Sequence, residues 1–155
     1  MVADLISEEK AFHAQEICIT LNEIGQETNS FTQWMGQLKN QRNYLDKEQK
    51  KEIIQDLRKL EGQVRKIDIA YFAFYNDLSL KFFSWNKNTP EDNLFSQIKN
   101  LPVYGYRAIE STENVLNSDY VTKNQVDFLQ IEFGELQEKI KSIYAVDGFC
   151  STSFQ

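Results

Sequence analysis

The strongest constraint on this chain is a stripe of apolar side chains at Ile53, Leu57, Leu60, Val64, Ile67, Tyr71, Phe74 and Leu78. The steps between them alternate between four and three residues, which returns every one of them to the same side of a helix. A helix of that length is stable in water only if it buries the stripe, and a partner stripe lies just upstream. Ile17, Leu21, Ile24, Thr28, Phe31, Met35, Leu38, Arg42 and Leu45 repeat the same steps, with Thr28 and Arg42 as flaws. Gly25 and the polar stretch 26–30 leave two options open, one long bent helix or two shorter ones with Ser30 as a new N-cap. Asp46 with Gln49 three residues on is a capping box for the second helix. A turn at 44–46 then folds the two stripes into an antiparallel hairpin.

The segment 70–85 is dense in aromatics: Tyr71, Phe72, Phe74, Tyr75, Phe82, Phe83 and Trp85. Such density suits a docking face, on a partner or a membrane surface, but the stripe already places about half of these residues in the core, which favours burial. A third helix is signalled by Thr89 as N-cap, Pro90 in the first position and Asp92 in the third, presenting Leu94, Phe95, Ile98 and Leu101. Pro102 is expected to end it. Residues 103–109 then read as a strand from their β-branched and aromatic content. Alternation puts Val103, Gly105 and Arg107 on one face, where a small residue beside a fixed cation would let a ligand approach, and Tyr104, Tyr106 and Ala108 on the other. Thr122 and Gln125 form a second capping box, followed by Val126, Leu129, Phe133, Leu136, Ile140 and Ile143 at helical steps. Asp147-Gly148 is a turn signal, and 149–154 reads as a second short strand.

Composition narrows the classes of function. The chain has 155 residues, 17 basic and 23 acidic, for a net charge of −6. Binding to nucleic acid by neutralising phosphates needs a basic surface, so no nucleic-acid partner is expected. No window is apolar enough for a membrane span, and a peripheral membrane role is not expected either. No basic segment followed by an apolar run opens the chain, so no Sec-type signal is visible and composition suggests the cytoplasm. Cys18 and Cys150 cannot make a disulfide framework, and no spacing pairs them. Cys150 reads as a packed apolar residue. His13, the one histidine, has no ligand partners at metal-binding spacing, so no metal site is expected. There is no glycine-rich phosphate loop.

Two segments together resemble the mono-ADP-ribosyltransferase toxins of the arginine–serine–glutamate class, which include the clostridial Rho-modifying exoenzymes and the actin-modifying binary toxins. The first is Tyr106-Arg107 at the end of the stretch 101–107, and the second is Gly148-Phe149-Cys150-Ser151-Thr152-Ser153, 44 positions from Arg107 to Ser151. The resemblance implies a mainly α chain: a helical hairpin or bundle over 1–101, then over 102–155 the first strand–helix–strand elements of an α+β transferase core. It implies NAD as substrate. Arg107 would fork onto the pyrophosphate, as a guanidinium can, with Gly105 beside it. Ser151 would position NAD and the catalytic glutamate, and Thr152 and Ser153 would brace their strand. A host protein would be the acceptor, reached in its cytosol without a Sec-type signal. The family's glutamate motif follows the serine; here Gln130-Ile131-Glu132 precedes it and is a decoy. The resemblance therefore implies a truncated piece, inactive alone and able to associate with a missing C-terminal part. The competing reading is a non-enzymatic helical bundle that binds a partner protein through its hairpin or aromatic face. That reading expects 103–109 not to be a strand.

Overall fold

The computed structural model describes residues 8–40, 47–81, 90–118, 121–146 and 149–150. Four helices account for nearly all of them: α1 (Glu8–Asn40), α2 (Lys47–Lys81), α3 (Pro90–Leu116) and α4 (Lys123–Tyr144). At ~1.5 Å rise per residue, α1 and α2 are each about 50 Å long and α4 about 33 Å.

The helices close into a ring: α1 packs on α2 and α4, and α3 packs on α2 and α4. Contacts across the seams fix the directions. Arg58 reaches Glu113 while Val64 meets Gly105, so α2 and α3 run antiparallel. Gln137 reaches Thr28 and Asn29 while Tyr144 reaches Cys18, so α1 and α4 are antiparallel as well. This is a four-helix bundle, in which each helix hides one apolar stripe from water.

The stripes are buried as their spacing requires. Leu57, Leu60, Val64 and Ile67 of α2 are inaccessible, as are Ile17, Leu21, Ile24, Phe31 and Met35 of α1. Leu94, Ile98 and Leu101 supply α3, and all six expected positions of α4 are in the core. Rings of Phe31 and Phe133 stack at 5.0 Å between centroids, joining α1 to α4, and Trp34 meets Phe31 edge-on at 6.4 Å. Phe74, Leu78 and the aromatic side chains from Tyr75 to Trp85, like Leu38, Arg42, Leu45, Asp46, Thr89 and Phe95, lie outside the described side chains.

Helix starts follow local chemistry. Pro90 opens α3, where a missing amide hydrogen costs nothing. Thr122 caps α4 reciprocally: its hydroxyl accepts from the Gln125 amide at 3.2 Å, and its own amide donates to the Gln125 side chain at 2.9 Å.

Of the two options for the first stripe, the structure shows the single helix: Gly25 and the polar stretch after it do not break α1, which is continuous. Thr28 fits the core because its hydroxyl donates to the Gly25 carbonyl at 2.7 Å and accepts from Gln137 at 3.3 Å, so no buried polar group is stranded there. Pro102 does not end α3, and residues 103–109 are helix, not strand. Leu94, Ile98, Leu101, Gly105, Ala108, Ile109 and Thr112 continue one helical stripe across the proline; burying it outweighs the one backbone hydrogen bond that Pro102 cannot donate and the β preference of the aromatic run. The expected boundary between residues 101 and 102 thus falls inside α3, and the bundle is built from both sides of it. Of the expected second strand, Phe149 sits in a turn and Cys150 is helical; Ser151, Thr152 and Ser153 lie outside the described residues.

Candidate functional site

In a helix, Gly105 and Arg107 no longer share a face. Gly105 points into the α2–α3 seam, where a Cβ would lie 2.7 Å from Val64 Cγ2. Its missing side chain admits a neighbouring helix rather than a ligand. Arg107 is exposed on α3, with its guanidinium 5.5 Å from the centre of the Tyr104 ring. Lys139 of α4 sits 5.1 Å from the same ring. The cleft around them, about 690 Å³, is also lined by Glu135 and Glu138, so its charges balance and it has no strong preference for anions. Whether Arg107 approaches Ser151 lies outside the described residues.

A second cleft, about 380 Å³ and open to solvent, runs between α1 and α4. Asn22, Gln26, Asn29 and Gln137 line it with amides over Leu21 and Ile140. Its end is closed by Tyr144, whose hydroxyl donates to the Cys18 carbonyl at 3.0 Å and whose ionisation is pushed up by burial.

On the α1–α2 seam, Lys59 donates to Glu27 at 2.9 Å. Glu27 is mostly buried and the ammonium is exposed, so the pair closes the seam from outside. The hydrogen bond to Glu27, and then its charge, raise the Lys59 pKa. Burial, and then the charge of Glu27, raise that of Asp56. These shifts belong to a surface ion-pair cluster.

The outer face of the α2–α3 seam carries exposed apolar side chains from two helices. Ile69 and Phe72 of α2 are each 66% exposed, and Val103 and Tyr106 of α3 are 47% and 37% exposed. The Tyr106 hydroxyl donates to Asp68 at 3.4 Å across the seam, which ties the two pairs together. Phe72 lies one turn beyond Asp68 and three residues beyond Ile69, and Val103 one turn before Tyr106, so each pair shares one flank of its helix. Burial, then the Asp68 charge and hydrogen bond, raise the Tyr106 pKa, so its hydroxyl keeps its proton. Lys66 and Lys99 flank the patch, and among the described residues neither has an ion-pair partner.

Among the described residues no group of three or more His, Cys, Asp or Glu side chains could hold a metal ion, and no helix is long and apolar enough to cross a membrane. His13 lies outside the described side chains. The sequence did not single out Ile69 as a surface residue, although its signal was present: Ile69 falls between stripe positions Ile67 and Tyr71, an apolar residue with no place on the buried face. The sequence reading also missed the pairing of the cysteines, which are joined as a disulfide between α1 and the turn after α4.

Comparison with family models, with curated proteins and with solved structures finds no match to this chain.

Proposed function

We propose that this protein is a non-enzymatic helical-bundle interaction protein whose α2–α3 face docks a partner protein. The observation that carries this reading is that Ile69 and Phe72 of α2 and Val103 and Tyr106 of α3 are exposed on two helices joined by the Tyr106–Asp68 hydrogen bond, whereas the other exposed large apolar residues are Ile19, Ile54 and the pair Phe128 and Ile131 of α4. Grouped apolar side chains on a surface cost hydration free energy that a partner recovers by covering them. Aromatic residues at the centre of such a patch contribute most to affinity, and Lys66 and Lys99 at its rim favour a partner with acidic residues around an apolar centre.

A photo-crosslinking amino acid placed at position 72 or 103, in the cell that makes the protein, should trap one discrete adduct. The same group at position 131, an exposed apolar site on α4, should not. Phe72→Asp should abolish the adduct formed from position 103 while leaving the melting temperature unchanged. Equal trapping at 72 and 131, or an adduct from 103 that survives Phe72→Asp, overturns the proposal.

The transferase reading asks for Arg107 on a strand at the floor of an NAD cleft. The helical course of 103–109 and the balanced charges around Arg107 argue against it. Calorimetric titration with NAD should give no saturable heat. Saturable binding that Arg107→Lys weakens would restore the transferase reading.

A further inference from the structure

We infer that Cys18–Cys150 is an installed covalent cross-link, made by exchange with a thiol–disulfide oxidoreductase, and that the protein works in an oxidising compartment. These are the two cysteines of the chain, 132 positions apart, and the fold brings their Cα atoms to 5.5 Å. That spacing is what a disulfide requires. The surroundings are built to hold it. The chain turns after α4, where the Ala145 amide donates to the Lys141 carbonyl and the Phe149 amide to that of Val146. Phe149 then enters the core beside Cys150, and both are essentially inaccessible. Tyr144 anchors the end of α4 to the backbone of Cys18 itself. Two contacts from one short segment, the Tyr144 hydrogen bond and the Cys150 sulfur, therefore converge on Cys18 of α1.

Burial decides what kind of disulfide this is. Cys18 is 0% and Cys150 1% exposed, so neither sulfur is open to attack by a thiolate in the folded protein. A regulatory disulfide has to be reachable; this one is structural. The cytosol keeps thiols reduced, and structural disulfides persist where it does not reach: the cell exterior, the periplasm or the secretory lumen. One cysteine thiolate attacks the disulfide of the oxidoreductase and forms a mixed disulfide. The second thiolate displaces the enzyme sulfur, closing the Cys18–Cys150 bond. Two electrons and, by way of water, the two thiol protons pass to the sulfurs of the oxidoreductase, which leaves as a dithiol. The inference does not depend on the partner-docking proposal, because it concerns the opposite side of the bundle.

The test uses the full chain made in an oxidising and in a reducing compartment, with thiols trapped by acid and alkylated on denaturation. The protein from the oxidising compartment should take up no alkylating label and weigh two hydrogens less than its reduced form. The reduced form should take up two labels and, because closing so long a loop restricts the unfolded chain, melt about 10 °C or more lower. Cys18→Ser should match the reduced wild type; if that variant fails to fold, the reduced wild type alone supplies the comparison. Acid trapping in the cell that makes the protein should find both cysteines already oxidised. Free thiols after passage through the oxidising compartment overturn the inference. So do equal melting temperatures of the oxidised and reduced forms, or free thiols in the native cell.

Discussion

Replacing Gly105 with Ala sets two effects of known sign against each other. In a helix, Gly is less favourable than Ala by ~1 kcal/mol, because it loses more backbone freedom on folding. At an open helical site, Gly→Ala should therefore stabilise. Gly62 in α2 is such a site: it is exposed, and a Cβ added there would meet no atom within 4 Å. At Gly105 the new Cβ would lie 2.7 Å from Val64 Cγ2, 3.2 Å from Cγ1 and 3.5 Å from Cβ. Val64 cannot swing aside: a β-branched side chain in a helix has essentially one rotamer, and this one is packed in the core. The α2–α3 seam must open instead, and overpacking of this kind costs typically ~1–3 kcal/mol. Subtracting the helix gain leaves Gly105→Ala destabilising by roughly 0–2 kcal/mol, against about 1 kcal/mol of stabilisation for Gly62→Ala. At ~2–4 °C per kcal/mol for a chain of this size, thermal melts should separate the two variants by about 2–12 °C. In a Val64→Ala background the clash is gone, so Gly105→Ala should regain its full helix benefit and the double-mutant cycle should show favourable coupling. If Gly105→Ala stabilises as much as Gly62→Ala, and does so equally with Val64 present or absent, the close approach of α2 and α3 is refuted.

Further outcomes follow from the same structure. Leu60→Asp places a carboxylate among fully buried apolar neighbours and should cost several kcal/mol, on the order of ~3–5; chemical denaturation showing less than about 1 kcal/mol would mean the α1–α2 seam is not closed as described. Thr122→Ala removes one half of the reciprocal cap of α4 and should cost ~1 kcal/mol, with hydrogen exchange rising first in the opening turn of that helix. The Lys59 pKa is raised, so the stability it contributes is complete below the ordinary lysine value and is lost as pH rises through the folded value. The raised values of Tyr106 and Tyr144 act in the same direction, since the unfolded chain releases those protons first. Lys59→Met should therefore flatten only part of the alkaline fall in melting temperature; an unchanged slope would remove Lys59 from the account.

Much of the bundle can be read from periodicity, because a stripe at alternating steps of three and four has only one way to leave water. Leu57, Leu60 and Val64, and the run from Val126 to Ile143, are buried where their spacing puts them. Caps are legible for a similar reason: Thr122 and Gln125 satisfy each other within one turn of chain, with no help from elsewhere. The errors arise where local preference and long-range burial disagree. Pro102 and the aromatic run after it favour a strand locally, but the stripe through Gly105, Ala108 and Thr112 has to be buried against α2 and α4, and the larger free energy prevails. The candidate interaction face was half legible, since Ile69 and Phe72 are apolar residues off the stripe. Their union with Val103 and Tyr106 depends on which flanks α2 and α3 turn toward each other, and the Asp68–Tyr106 contact records that choice. The disulfide was not legible at all. Two cysteines 132 positions apart carry no local signal of pairing, and only the return of the chain across α1 brings them within bonding reach. The sequence by itself determined the stripes that α1, α2 and α4 bury and the opening of α3, because those follow from steps of three and four along one segment; the tertiary structure decided the course of α3 past Pro102, the ring order, the exposed face and the cross-link, because each of these depends on residues that share no stretch of chain.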